Sequence, residues 1–154
     1  GISWTGRTAA TDNMWSSVTF GNGVFVAVGS GHADDNVMTS SDGKTWISRV
    51  SAAANQWSSV TYGGGFFVAV GGLGFDSFGT GNKKTVMTST DGIVWTSRTA
   101  ATDNDWGSVT YGNDIFVAVS NTGTDRIMTS PDGIEWTSRA AFDNYSYSVT
   151  YGDS

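Results

Sequence analysis

An all-β repeat protein built from four-stranded units is the fold this 154-residue sequence predicts, and three observations predict it. The stretch Ser40-Ser41-Asp42-Gly43-Lys44-Thr45-Trp46 recurs as Ser89-Thr90-Asp91-Gly92-Ile93-Val94-Trp95 and as Ser130-Pro131-Asp132-Gly133-Ile134-Glu135-Trp136. Two aromatic series also keep step. Trp4, Trp46, Trp95 and Trp136 are spaced by 42, 49 and 41 residues, and Trp15, Trp57, Trp106 and Tyr147 by the same intervals. Each unit is therefore about 42 residues long, with one insertion in the middle unit. Finally, the chain holds 21 Gly and a single Pro, abounds in Ser, Thr, Val and aromatics, and has one Glu, one Leu and three Lys. That composition disfavours helices and suits short strands joined by glycine-containing turns.

Taken in order, each unit reads as strands a to d. Strand a runs from Trp15 to Phe20 and returns as Trp57 to Tyr62 and Trp106 to Tyr111. The turns that follow, Gly21-Asn22-Gly23, Gly63-Gly64-Gly65 and Gly112-Asn113-Asp114, consist of residues that tolerate positive φ in a hairpin. Strand b is Val24 to Val28, Phe66 to Val70 and Ile115 to Val119, apolar on both faces and so expected to be covered on both sides. A variable b–c loop leads to strand c, which is Val37 to Ser40, Val86 to Ser89 and Ile127 to Ser130. The Asp-Gly turn follows, and strand d carries Trp46 to Arg49, Trp95 to Arg98 and Trp136 to Arg139. Met38, Met87 and Met128 share one strand position and read as core. The chain thus predicts a lone d strand over 2–7, units over 15–49, 57–98 and 106–139, and a lone a strand over 145–151, fourteen strands in one repeat domain.

The Asp-Gly-x-x-Trp turns resemble those of the Asp-box, or bacterial neuraminidase repeat (BNR), family, in particular tandem repeats of bacterial and phage surface proteins. The resemblance covers essentially the whole chain and implies a β-propeller of four-stranded antiparallel blades. One departure is that Asp42-Gly43, Asp91-Gly92 and Asp132-Gly133 are adjacent, where the usual Asp-box places a residue between the two. The chemistry of the turn explains itself: Asp accepts hydrogen bonds from backbone N–H groups of its own turn, Gly supplies positive φ, and the Trp packs beneath. Asp42, Gly43, Trp46, Asp91, Gly92, Trp95, Asp132, Gly133 and Trp136 are accordingly structural. Some Asp-box proteins are sialidases, with a cluster of three arginines. Here Arg7, Arg49, Arg98 and Arg139 hold one repeated position and would be spread round a ring, so sialidase activity is rejected. The alternative fold is a β-trefoil, which also has three repeats of about 40 residues but needs twelve strands. A propeller closes with about four to eight blades. Three blades and two odd strands point to a homo-oligomer closing the ring, or to flanking blades of a longer chain.

Composition excludes several functions. Net charge is −6 and only Lys83-Lys84 form a basic pair, so nucleic-acid binding is not expected. No apolar run approaches the ~18 residues of a membrane-spanning helix. There are no cysteines, hence no disulfide or thiolate site, and the chain begins at Gly1 without a signal peptide. It reads as a processed product or an excised piece, with an extracellular or virion-surface location expected. Symmetric repeats also fit a recent duplication or an engineered propeller without a ligand.

Variation concentrates in the b–c loops, which share an end of the blades with the d–a connections carrying Asp12, Asp103 and Asp143. The candidate ligand-binding residues are Asp34, Asp35, Phe75, Asp76, Phe78, Lys83, Lys84 and Asp125. Aromatic faces beside fixed acceptors are what a sugar site uses. Asp34-Asp35 with Asp12 supplies oxygens of the kind Ca²⁺ takes, but the spacing matches no EF-hand loop; no metal and no cofactor are assigned. His32, the only histidine, has no partner base, and no repeated Ser has a His in its own unit except in the first, so no catalytic group is assigned. Asn144-Tyr145-Ser146 is a formal glycosylation sequon. The expected function is a non-enzymatic binding module for glycans or a surface receptor, with a structural module of a surface, tail or fibre as the alternative.

Overall fold

The computed structural model describes residues 3–31, 35–72, 86–140 and 146–152. Among the described residues, twelve strands form three antiparallel sheets. The first blade is β1 (Met14–Gly21), β2 (Val24–Ser30), β3 (Val37–Ser40) and β4 (Ile47–Arg49). The second is β5 (Gln56–Gly63), β6 (Phe66–Gly72), β7 (Val86–Ser89) and β8 (Thr96–Arg98). The third is β9 (Trp106–Gly112), β10 (Ile115–Ser120), β11 (Ile127–Ser130) and β12 (Thr137–Arg139). Each sheet keeps its strands in chain order, and neighbouring blades meet through β1 with β5 and β5 with β9. This is a β-propeller arrangement. The trefoil is set aside because every strand pairs only within its own four-stranded sheet.

The two-residue hairpin loops form as the residue types require. Asn22 and Gly23 have φ of 46° and 78°, Gly64 and Gly65 of 56° and 86°, and Asn113 and Asp114 of 48° and 59°. Positive φ at both central positions is the type I′ geometry, whose twist matches that of the flanking strands.

Strand a is not a plain alternation. Its register slips by one residue between Trp15 and Ser17, and again between Trp57 and Ser59. Gly107 is the extra residue in the third blade, where Val119 faces Ser108 and Ser120 faces Trp106. One inserted residue reverses the parity of the pleat. Trp57, Val60 and Tyr62 thereby share one face, although straight counting would put the Trp opposite the other two.

The cores lie between blades. In the first, Val26, Val28 and Val37 of blade 1 meet Trp57, Val60, Phe67, Ala69, Met87 and Trp95 of blade 2. In the second, Val68, Val70 and Val86 of blade 2 meet Trp106, Val109, Phe116, Ala118 and Met128 of blade 3. Blade 2 is therefore covered on both faces, as its doubly apolar strand b demands. Each large side chain buried this way contributes roughly 1.5–3 kcal/mol before entropy is counted. Serines also bind neighbouring blades to each other. Ser17 Oγ accepts from Val60 N at 3.1 Å, and Ser59 Oγ from Val109 N at 3.2 Å.

The odd strands differ from expectation. Residues 3–9 are exposed and pair with no strand among the described residues, and Trp4 is 92% exposed. Residues 146–152 also belong to no ladder, yet they lie where strand a of a fourth blade would lie. Val149 N donates to Ser108 Oγ at 3.2 Å, as Val109 does to Ser59. The Tyr151 ring covers Gly112 as the Tyr111 ring covers Gly63. This register also corrects the aromatic series. Val149 lies 40 residues after Val109, so Ser146 takes the place of Trp106, and Tyr147 aligns with Gly107 and is 71% exposed. The connection before this segment is one residue shorter than its counterpart, which put Tyr147 falsely in step.

Candidate functional site

The a–b and c–d turns share one end: Asn22 Nδ2 donates to Thr90 O across the blade boundary at 3.2 Å. The chemistry of that end is spent on structure. Asp91 Oδ1 accepts from Ser89 Oγ (3.0 Å), Ile93 N (2.8 Å) and Val94 N (3.0 Å), while Ser89 Oγ accepts from Gly92 N (2.8 Å). Asp42 and Asp132 repeat the pattern on Lys44 N and Thr45 N, and on Ile134 N and Glu135 N. Backbone N–H donors hold all three carboxyls below the ordinary carboxylate range, led by those of Thr45, Val94 and Ile134 respectively. Gly43, Gly92 and Gly133 have φ of 68°, 74° and 75°. Trp95 and Trp136 donate Nε1 to the carbonyls of Gly92 and Gly133, and Trp46 lies against the Phe25 ring.

The opposite end gathers the b–c loops and d–a connections. Asn13 Nδ2 donates to Asp35 O at 2.8 Å, and Asn104 Nδ2 donates to Asp125 O at 2.8 Å. Asn36 Nδ2 reaches the next connection at Asn55 O, 3.2 Å away. In the third blade Ser120 Oγ donates to Asp105 O at 2.7 Å, and Thr122 Oγ1 accepts from Asp105 N at 2.9 Å. These bonds fix the stems of the loops. The carboxylates of Asp35 and Asp125 project from those stems, half-buried, and accept no hydrogen bond from the described residues. Asp12 and Asp103 are exposed on the same end.

Of the predicted site residues, Asp35 and Asp125 stand on equivalent stems of blades 1 and 3, each clipped within its own blade. Asp34, Phe75, Asp76, Phe78, Lys83 and Lys84 lie outside the described residues, as do His32, Asp143, Asn144 and Tyr145. Among the described residues no three acidic or imidazole side chains gather as a metal site would require. Arg49, Arg98 and Arg139 each donate Nε to a threonine of their own blade, Thr39, Thr88 and Thr129, at 3.0 Å. The residues that sequence reasoning missed are the clips. They are Asn13 and Asn104, which share one repeated position with Asn55 at intervals of 42 and 49, in step with the tryptophans, and that interval was their signal.

No protein-family model matches the chain, and no curated protein matches it. Solved propeller structures do. YCF48 from Cyanidioschyzon merolae superposes with a TM-score of 0.59 at 21% identity, over 83% of this chain and 37% of that one. YCF48 bound to D1 peptide gives 0.61 at 19% identity, over 83% and 41%. The computationally designed Ika4 protein gives 0.63 at 10% identity, over 97% and 89%. At these identities the likeness is one of fold. The chain spans about two fifths of the length of the YCF48 structures.

Proposed function

We propose that this propeller chain is a non-enzymatic binding module that engages a glycan or a surface receptor through its b–c loop end, on a bacterial or virion surface. One observation carries the reading. The Asp carboxylates of the turn end each have one oxygen engaged by their own turn, whereas those of Asp35 and Asp125 accept nothing from the described residues and stand on stems fixed by Asn13 and Asn104. Preorganised stems lower the ordering cost of binding. The peptide-bound YCF48 structure supports a polypeptide partner, and Phe75 and Phe78 support a sugar.

The test is a glycan array and a receptor pull-down with the parent chain, then with Asp35→Asn and Asp125→Asn together and with Phe75→Ala and Phe78→Ala together. Binding weakened by about tenfold or more in either double variant supports the reading. A parent that binds nothing, or variants that bind as well as the parent, ends it. A second reading, a structural or assembly module, is favoured by the apolar face left open on the first blade, where Val18 and Phe20 are 60% and 56% exposed.

A further inference from the structure

The contact between successive blades occurs twice inside the chain, and each of its halves occurs a third time without a mate. One half is Val26, Val28 and Val37, repeated as Val68, Val70 and Val86. It returns at the far end as Val117, Val119 and Ile127. The other half is Trp57, Val60, Met87 and Trp95, repeated as Trp106, Val109, Met128 and Trp136. It returns on the first blade as Trp15, Val18, Met38 and Trp46, where it lines an open groove of about 340 Å³. Val18 is 60% exposed, against 5% for both Val60 and Val109.

We infer that this groove takes the third-blade face of a second copy of the chain, head to tail, so that two chains close a six-bladed ring. The occupant is named by continuity: a second copy presents the same residue types in the same strand register that fill the equivalent groove twice already. A heterologous contact of this kind propagates unless it closes, and six blades fall within the range that closes. The proposal deepens the assembly reading and is independent of the ligand.

One segment stands in the way. Residues 146–152 occupy the inner-strand place beside blade 3, with Val149 on Ser108 and Tyr151 over Gly112. A copy's β1 carries the same Ser-Val-Thr-aromatic-Gly run at Ser17 to Gly21 and needs that place. The segment is therefore a removable plug, and ring closure is a strand exchange. The plug pairs in no ladder among the described residues, whereas β1 brings a whole blade, so exchange is favoured as concentration rises.

Sedimentation velocity over about a hundred-fold range of concentration, with native mass spectrometry, tests this. The parent is expected to shift from one chain to two. Val18→Asp, at an exposed position checked by circular dichroism, is expected to stay a single chain throughout. Tyr151→Ala, which loosens the plug, is expected to associate at about tenfold lower concentration. Single chains at every concentration for both the parent and Tyr151→Ala, or association that survives Val18→Asp, overturns the proposal. A genetic fusion of two copies separates the two levels. If separate chains stay single but the fusion melts above the single chain, closure by two separate chains fails, while the groove still takes a flanking blade and the assembly reading stands. If the fusion melts no higher, that reading fails as well.

Discussion

Asp91 shows how much one side chain does in this fold. A single carboxylate oxygen accepts from two backbone N–H groups and one hydroxyl, closing the turn between β7 and β8. Its charged form is favoured in the folded chain, so its folded pKa lies below the ordinary value of 3.8. The contribution is full above that value and is lost as pH falls from it through the lowered one. Asp91→Asn keeps an acceptor but removes the charge. It is expected to destabilise by about 1 kcal/mol near neutral pH, a figure kept small because the turn faces water. Denaturant midpoints measured at neutral pH and near pH 3 should differ less between variant and parent at the lower pH. Equal midpoints at neutral pH would show that the charge adds nothing. This role was legible in the sequence, because a Ser-x-Asp-Gly turn is a local structure whose donors and acceptors lie within a few residues.

Packing between blades places different demands on the strand elements. Gly63 lies in β5, where an added Cβ would meet the Tyr111 ring at 2.0 Å. Gly65, two residues on, has φ of 86° and open space around it. Gly63→Ala therefore fails by overlap with a neighbouring blade, while Gly65→Ala fails only by local backbone strain. The first is expected to cost about 1–3 kcal/mol and the second about 1 kcal/mol, with thermal melts giving the order. A larger loss at Gly65 would mean that the tyrosine moves aside freely. Strand order, hairpin turns and the doubly covered strand b were readable from pattern alone. The bulge that turns Trp57 onto the face of Val60 was not, since it depends on how strands a and b pair. The place of Tyr147 was misjudged because counting residues cannot see a connection shortened by one. The same counting held the Asn13 and Asn104 clips, which went unrecognised because a polar residue in a connection declares its partner only in three dimensions.

At the scale of the whole molecule, the chain is a row of three blades, with an open apolar face on the first and an apolar face on the third that residues 146–152 partly cover. If those ends meet in a second copy, folding and association are linked, and the melting temperature should rise with protein concentration. The rise should vanish in Val18→Asp; a melting temperature independent of concentration in the parent would count against closure by a second chain. By itself, the sequence determined the all-β class, the three units, the turn chemistry and the assignment of Asp42, Asp91 and Asp132 to structure, since these rest on contacts within one blade. Only the tertiary structure decided which faces of those blades are covered, that residues 146–152 dock as a strand without a ladder, and that Asp35 and Asp125 stand on clipped stems. The physical reason is that a blade is specified locally, by period and turn, whereas burial depends on which blade comes next, and the repeat is the same wherever it stands.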